Sequence, residues 1–241
     1  MLPFLDSNSL FPSVELALEE PNGLLAAGAD LSSDRLISAY SSGIFPWYSK
    51  GEPILWWSPN PRTVFLLDSF KPSRSLCRFI RKCPWRVSLN KDFEQVVDCC
   101  SAPRKEQSGT WITDQMKEAY LALHQLGIAH SVEVWHDKDL VGGIYGVSIG
   151  HLFCGESMFS ACSNGSKVSL ACLIGHLATE NFPLIDCQME NPHLSGLGAT
   201  NISRNQYLET LQQIVHQPVA QDFWKEKELD ANQLVKRKSS E

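Results

Sequence analysis

The chain has 241 residues and a net charge of −6, and 43% of its residues are hydrophobic while 20% are charged. These values are typical of a folded chain of one large or two small domains, and they exclude an intrinsically disordered protein. No apolar run approaches the roughly 18 residues of a membrane span, and no basic segment precedes an apolar one at the N-terminus, so we expect neither a membrane protein nor a secretory signal.

Residues 1–62 are rich in proline, glycine and tryptophan, and we expect them to form a small N-terminal domain. Within it, ADLSSDRLISAYSSG predicts a short helix that is capped by Asp30 or Ser32 and ended by Gly43. The following stretch, IFPWYSKGEPILWWSPNPR, contains four prolines and three tryptophans. That mixture predicts ordered coil packed through its aromatic side chains.

From residue 63 the hydrophobic patterns predict the element order β-α-β-α-α-β-β-β-α-β-α. The centre of this order is an antiparallel meander of three strands near 131–135, 140–148 and 151–159. A helix starting near Ser166 and a strand at LIDCQ follow. A meander followed by a helix and a crossover strand predicts an α+β domain over 63–232, and we expect the tail 233–241 to be disordered.

The stretch KPSRSLCRFIRKCPWRVSLNK, 71–91, contains seven basic residues and no acid. It therefore carries +7, which leaves −13 for the rest of a chain whose net charge is −6. Its first half predicts a helix with four basic residues on one side: Arg74, Arg78, Arg81 and Lys82. This asymmetry favours contact with a polyanion on an otherwise acidic protein, and a solvated basic face is the alternative.

The segment LIDCQ, 184–188, has the pattern of a buried strand but carries an acid and an amide. Because strand side chains alternate between faces, Asp186 and Gln188 are expected to point the same way. A carboxylate in a core costs several kcal/mol, roughly, unless it is paired or neutralised. The pair is therefore a candidate functional site, and a polar pair satisfied by backbone groups is the alternative.

The eight cysteines include no C-x-x-C pair, and several lie in apolar segments. We expect reduced thiols in a cytoplasmic protein, without disulfides or a zinc site. The spacing of His124, His130 and His136 fits no common metal motif either.

The element order resembles the GNAT-type acyltransferase fold, in which the helix after the meander begins beside the acyl donor. Ordinary members bind coenzyme A there through a Q/R-x-x-G-x-G/A turn, whereas this sequence has FSACSNGSKVS. A narrower set of motifs, spread from about residue 20 to about residue 225, resembles the leucyl/phenylalanyl-tRNA–protein transferase family. These motifs are PNGLLAAGADLS, GIFPWYSKGEPILWWSPNPR, GTWIT, HSVEVW, LVGGIYGV, FCGESMFS, SK and LIDCQ.

This resemblance implies a GNAT-like α+β domain with a mixed or antiparallel sheet behind the small N-terminal domain. It implies an enzyme that moves Leu or Phe, with Met as a further candidate, from charged tRNA to the N-terminal Arg or Lys of a protein. The new residue marks that protein for degradation. Neither a coenzyme nor a metal takes part, and we expect a cytoplasmic monomer that does not contact membranes.

The resemblance also implies site residues. Asp186, Gln188 and Glu156 are the expected catalytic group: Gln188 would accept a hydrogen bond from the attacking amine, Asp186 would hold that amide, and Glu156 would share a proton with Asp186 or attract the cationic acceptor. The expected aminoacyl pocket consists of Ile144, Met158, Leu170, Leu173, Leu177 and Ile185. The expected adenosine contacts are Trp47, Trp111, Phe153, Ser166 and Lys167. The expected tRNA contacts are Arg74, Arg78, Arg81, Lys82 and Arg86.

Each pocket residue would also fit a plain hydrophobic core, and each lone tryptophan is core more often than not. Three other functions stay open at this point. A non-catalytic tRNA-binding module would need the basic residues without the three polar ones. A coenzyme A acetyltransferase would need the missing pyrophosphate turn, and a transferase for cell-wall peptides usually carries a helical insertion that we do not see.

Overall fold

Two β-sheets and eight α-helices make up the regular structure of residues 2–102 and 112–236, the part of the chain that the computed structural model describes. In that part, no helix is long and apolar enough to cross a membrane.

The smaller sheet belongs to the N-terminal segment, residues 2–61. Its strands are β1 (Phe4–Leu5), β2 (Leu24–Gly28), β3 (Phe45–Pro46) and β4 (Leu55–Trp57), in the order β1-β2-β4-β3. The predicted ordered coil was therefore wrong at β3 and β4, because the prolines that interrupt the pattern lie in or beside short strands. Trp56 is fully buried, and its indole nitrogen donates to the Gly28 carbonyl over 3.0 Å.

The helix predicted in this segment is confirmed as α1 (Ser33–Ser41). Ser32 is its N-cap residue, and Gly43 follows its end with φ +75°. A side chain at Gly43 would also strike Leu208 at 2.8 Å, so both conformation and packing require glycine there.

The larger sheet has eight strands in the order β11-β5-β10-β9-β8-β7-β6-β12. Their bounds are β5 (Arg62–Leu66), β6 (Arg86–Leu89), β7 (Ala129–His136), β8 (Asp139–Ile149), β9 (Leu152–Ser160), β10 (Leu184–Asp186), β11 (Thr200–Ile202) and β12 (Lys227–Leu229). All neighbours in this sheet are antiparallel except β9 and β10, which run parallel. The predicted meander is confirmed as β7, β8 and β9.

The remaining helices are α2 (Arg74–Lys82), α3 (Phe93–Ser101), α4 (Asp114–Gln125), α5 (Gly165–Leu177), α6 (Pro192–Leu197), α7 (Arg204–Ile214) and α8 (Ala231–Lys236). The predicted element order is confirmed through β10, while α6, β11, β12 and α8 were not expected. Disorder was wrongly predicted for 233–236, because α8 packs its Val235 into the core. Residues 237–241 lie outside the described residues.

A separate hydrophobic core lies against each face of the larger sheet. On one face, α3, α4 and α7 and the N-terminal segment enclose Tyr145 and Cys154. On the other, α2, α5 and α8 enclose Ile144 and Phe153. These neighbouring residues point to opposite faces because strand side chains alternate. The N-terminal segment thus packs on the face that carries Cys154.

Helix α5 begins in direct contact with β8. A Cβ atom at Gly142 would meet the backbone carbon of Gly165 at 2.4 Å, so the strand and the helix start touch backbone to backbone. This contact fixes where α5 begins relative to the meander.

Candidate active site

Strands β9 and β10 separate at the point where the polar residues gather. The two strands pair at Ile185 with Phe153 and at Asp186 with Cys154. Beyond these pairs β9 continues to Ser160, whereas β10 ends at Asp186. Residues 155–160 of β9 therefore have no strand partner among the described residues on that side, and we call the region beside them, at the carboxyl end of β10, the β9–β10 cleft.

Asp186 closes the inner end of this cleft and is fully buried. Its carboxylate accepts two hydrogen bonds from Arg62, from Nε over 2.8 Å and from Nη2 over 2.7 Å. Tyr207 donates its hydroxyl over 2.9 Å, and the Cys154 thiol lies 3.4 Å away. Burial alone would raise the pKa of Asp186, but the Arg62 guanidinium and the hydrogen bonds hold that pKa below its ordinary value.

The Arg62 side chain links the N-terminal segment to the larger sheet. Its third nitrogen, Nη1, donates to the Gly43 carbonyl over 3.0 Å. Its guanidinium carbon lies 4.9 Å from the ring centre of Phe45 and 4.6 Å from that of Tyr207. A buried guanidinium with paired nitrogens and two aromatic faces is held in one position.

Gln188 lies just beyond the end of β10, with a left-handed φ of +58°. Its backbone N–H donates to Asp186 Oδ1 over 2.9 Å, while its side-chain Nε2 donates to Glu156 Oε1 over 3.3 Å. The prediction that 184–188 is one strand was therefore wrong after Asp186. The prediction that Asp186 holds the amide of Gln188 was also wrong, because Asp186 holds the backbone and Glu156 holds the amide.

Glu156 is the extra residue of a β-bulge in β9. Gly146 pairs with Gly155 and Tyr145 pairs with Ser157, so Glu156 has no partner in β8. Bulges of this kind redirect a side chain and are common beside active sites. Here the half-buried Glu156 side chain turns toward Tyr40 of the N-terminal segment and toward the Gln188 amide.

Two buried tyrosines hold the Glu156 carboxylate. Tyr40 of α1 donates to Oε1 over 2.8 Å, and Tyr120 of α4 donates to Oε2 over 2.5 Å. The two hydroxyl oxygens are themselves 2.8 Å apart. Burial raises the pKa of Glu156 to about 7, although both tyrosine hydroxyls oppose this shift. The shared proton predicted between Glu156 and Asp186 finds no support, because the bonds of Asp186 go to Arg62, Tyr207 and the Gln188 backbone.

Sequence reasoning missed Arg62, Tyr207, Tyr40 and Tyr120. Arg62 ends the quoted stretch IFPWYSKGEPILWWSPNPR, and Tyr40 lies in the predicted α1, but nothing local distinguishes them from other residues of their type. The hydrogen bonds that join them to the two carboxylates span 21 to 124 residues of sequence. A lone tyrosine or arginine gives no single-sequence signal for a partner at that distance.

The predicted aminoacyl pocket lies mostly in the core beneath α5. Met158 is half-buried beside the cleft and packs against that core. The other five members are buried in it: Ile144, Leu170, Leu173, Leu177 and Ile185. The structure therefore brings the six residues together, with Met158 nearest the opening.

The predicted adenosine contacts are dispersed. Trp47 is 39% exposed and has its ring edge-to-face with Trp57, at 5.5 Å between centres. Phe153 is 1% exposed and packs 5.7 Å from Trp224, so the adenosine contact predicted for it is corrected to a core role. Ser166 is buried in the first turn of α5, where its N–H donates to Ser160 Oγ over 2.8 Å, and Lys167 beside it is exposed. Trp111 lies outside the described residues.

The predicted basic helix is confirmed as α2, with Ser73 as its N-cap. Its four basic side chains are exposed, and Arg86 is exposed on β6: Arg74, Arg78, Arg81, Lys82 and Arg86. Arg86 forms a salt bridge of 2.9 Å to Glu228, whereas none of the four on α2 pairs with a carboxylate within residues 2–102 and 112–236. Over the same ranges, no group of three or more His, Cys, Asp or Glu residues could hold a metal ion.

A search of solved structures finds a distant likeness. A structure of L-PGS from Bacillus licheniformis covers 85% of this chain, and the match covers 65% of that chain, at a TM-score of 0.40 and 10% identity. A likeness at that level identifies neither a fold family nor a function.

Comparison with protein families and curated proteins gives a direct result. A family model described as leucyl/phenylalanyl-tRNA protein transferase matches residues 64–212, and the model of its N-terminal domain matches residues 29–60. A leucyl/phenylalanyl-tRNA–protein transferase of Shewanella woodyi is 52% identical over 219 residues, which is 91% of this chain and 93% of the relative. One of Pseudomonas fluorescens is 54% identical over 219 residues, at 90% and 97% coverage. One of Xanthomonas axonopodis pv. citri is 54% identical over 227 residues, at 92% and 91% coverage. The chain is therefore an aminoacyltransferase and belongs to the leucyl/phenylalanyl-tRNA–protein transferase family.

Proposed function

We propose that the chain transfers leucine or phenylalanine from charged tRNA to the N-terminal Arg or Lys of a protein, and that the reaction takes place in the β9–β10 cleft. The observation that carries the location is the contact between the half-buried Glu156, the extra residue of the β-bulge, and the Gln188 amide just beyond the end of β10. The new N-terminal residue marks the acceptor protein for degradation. The enzyme acts as a cytoplasmic monomer, and methionine is a third possible cargo.

The reaction is aminolysis of an ester. The acceptor's α-amine attacks the carbonyl that joins the amino acid to the terminal adenosine, the N–C bond forms, and the C–O bond to the ribose breaks. The ester is already activated, and a free α-amine has a pKa of about 7.7–8.0, so no covalent enzyme intermediate is needed. Positioning the two substrates supplies most of the rate enhancement.

In this mechanism Gln188 positions the attacking nitrogen. Because its Nε2 donates to Glu156, its amide oxygen is directed away from Glu156, and we assign that oxygen to accept a hydrogen bond from the amine. An amide is a poor proton acceptor, so Gln188 is not the base.

Asp186 acts through other residues. Its carboxylate oxygens already receive donors from Arg62, Tyr207 and the Gln188 backbone, and it is fully buried. The Gln188 N–H bond helps to keep that residue at its left-handed φ. We therefore assign Asp186 as a positioning residue that neither touches substrate nor carries a proton.

For the aminoacyl side chain we propose entry beside Met158, whose flexible thioether adapts to both branched and flat side chains. The five buried residues beneath α5 would form the floor of that pocket: Ile144, Leu170, Leu173, Leu177 and Ile185. Because they are closely packed, these side chains must move apart when the substrate enters.

For the tRNA we propose that α2 binds phosphates of the acceptor stem without reading its sequence. Four exposed cations without carboxylate partners in the described ranges support this, and the bridged Arg86 is the weaker contact. Trp47 and Trp111 stay our candidates to stack on the terminal adenine, and Ser166 and Lys167 our candidates to contact a phosphate at the start of α5.

We also infer a GNAT-like fold for a catalytic domain over 63–232 and a separate small domain over 1–62. The meander, α5 and the parallel return strand β10 support the first inference. The separate sheet of the N-terminal segment supports the second.

The test is transfer of radiolabelled Phe from Phe-tRNA to a peptide that begins with Arg, beside one that begins with Ala. We expect labelling of the Arg peptide alone, and strong loss of labelling in Glu156→Gln. An inert wild-type protein that still binds tRNA would refute the proposal and leave a tRNA-binding module.

A further inference from the structure

The two tyrosine hydroxyls and the carboxylate of Glu156 form a ring that lacks one proton when Glu156 is ionised. The ring has three short contacts: Tyr40 Oη to Tyr120 Oη at 2.8 Å, Tyr40 Oη to Oε1 at 2.8 Å, and Tyr120 Oη to Oε2 at 2.5 Å. Each contact can hold one hydrogen bond. Two tyrosine hydroxyls supply two protons, and an ionised carboxylate supplies none.

One of the three contacts is therefore a meeting of lone pairs while Glu156 is ionised. A proton on Glu156 removes that conflict, because each of the three contacts then contains one donor. Both tyrosines are at most 1% exposed, so no water replaces a missing donor from their side. Glu156 is half-buried and contacts the Gln188 amide, the group assigned above to position the amine, so a proton can reach it from a bound acceptor.

We propose that Glu156, Tyr40 and Tyr120 together form the site that receives the proton released by the acceptor's α-ammonium group. This inference rests on the function proposed above. Glu156 is the catalytic residue of the three because it faces the substrate, whereas Tyr40 and Tyr120 are positioning residues that act through it.

The proton balance is complete. The α-ammonium gives one proton to Glu156 and becomes a neutral amine. Its nitrogen attacks the ester carbonyl, the N–C bond forms, and the C–O bond to the ribose breaks. The ribose oxygen takes the second nitrogen proton, and Glu156 then returns its proton to water.

Other groups act on Glu156 without joining the ring. The charges of Asp186 and Arg62 oppose each other's effect on it. The uncharged groups on this face are Cys154, Gln188, Tyr207 and Tyr145. The Tyr145 ring packs edge-to-face on Tyr120 at 5.4 Å, and its buried hydroxyl has no hydrogen-bond partner among the described residues. Tyr145→Phe is therefore a matched control, since it removes a buried hydroxyl that holds nothing.

The test is the pH dependence of kcat/KM for transfer to an Arg peptide by wild type, Tyr40→Phe, Tyr120→Phe and Tyr145→Phe. The acceptor's own titration is common to all four, so a difference between profiles belongs to the enzyme. Each ring variant opens the ring, so the difference in hydrogen bonding between the protonated and the ionised form of Glu156 changes, and with it the pKa of Glu156. The acid limb follows this pKa and moves with it.

We expect the acid limb to move in both ring variants and to stay in place in Tyr145→Phe. Profiles of Tyr40→Phe and Tyr120→Phe that coincide with the control would overturn the proposal while leaving the function intact.

Infrared titration of the carboxylic acid C=O band tests the same point without turnover. We expect a band that titrates near neutral pH in wild type, disappears in Glu156→Gln, and changes frequency in the ring variants but not in the control. A wild-type protein without transfer activity would refute the proposed function, whereas absence of this band would refute the proton site.

Discussion

Asp186→Asn offers the sharpest test of how the site is held together. The substitution keeps the size of the side chain but removes the negative charge that faces Arg62 at 2.7 Å, in a pair whose side chains are 1% and 0% exposed. Removing one partner of a buried ion pair typically costs about 3–5 kcal/mol, because the other charge is left uncompensated. The rings of Phe45 and Tyr207 beside Arg62 cannot replace an anion.

For a chain of this length each kcal/mol lowers the melting temperature by about 2–4 °C, so we expect a decrease of roughly 6–20 °C. The assay is thermal unfolding followed by circular dichroism at neutral pH, with Glu156→Gln as the control. That control also replaces a carboxylate by an amide, but at a group whose pKa burial has already raised to about 7, so its melting temperature should fall far less.

The lowered pKa of Asp186 also determines how the stability of the protein changes with pH. Because the pKa of Asp186 is lowered in the folded state, its contribution to stability is present above the unfolded pKa and is lost as the pH falls through the folded one. The difference in melting temperature between wild type and Asp186→Asn should therefore shrink in strong acid. An Asp186→Asn protein as stable as wild type but inactive in transfer would refute the positioning role and return Asp186 to the chemistry.

Two further predictions follow from the electrostatics. Arg78→Gln and Arg81→Gln should weaken tRNA binding similarly for all sequences, and each should reduce the slope of log K against log salt by about 0.9 if its side chain contacts one phosphate of a duplex. The control is Lys225→Gln, which changes an exposed cation that already faces Asp222. Unchanged slopes in the α2 variants would contradict the α2 interface. His176 is buried with its ring 4.1 Å from that of Phe223, and burial lowers its pKa to about 4. As the pH falls, the unfolded chain therefore binds a proton at His176 before the folded chain does. The free energy of unfolding should decrease by about 2 kcal/mol between pH 7 and pH 5. In chemical denaturation, His176→Phe should lose that part of the pH dependence. An unaltered pH dependence would show that the pKa of His176 is the same in the folded and the unfolded chain.

The fold was predictable where the pattern is local. The strands of the meander are separated by turn residues. The helices α2, α4 and α7 have helical periodicity, and Ser73, Thr113 and Ser203 cap them as such residues do. The small sheet was not, because its strands are two to five residues long and Pro46 lies within one of them. The short β12 was missed for the same reason: it pairs with β6, more than a hundred residues earlier, and is too brief to show alternation.

The site was predictable in its polar members but not in its organisation. Asp186, Gln188 and Glu156 do lie together, but no sequence pattern predicts a bulge at Glu156 or a left-handed residue at Gln188. These two backbone irregularities decide which carboxylate faces the cleft. Both depend on tertiary contacts with Tyr40, Tyr120 and Arg62, which no local pattern encodes.

The guanidinium of Arg62 has a consequence for how the protein is made. It donates to the Gly43 carbonyl and to Asp186, which follows Arg62 by 124 residues, and it packs on the ring of Tyr207. Contacts of such long sequence separation form late in folding, and a ribosome adds about 5–20 residues per second, so several seconds pass between the synthesis of Arg62 and that of Asp186. Throughout that interval the N-terminal segment cannot bury Arg62 without leaving a charge unpaired. Chains that stop before Asp186 should therefore stay open and vulnerable to proteases, and incomplete copies of the enzyme would be removed before they could bind tRNA.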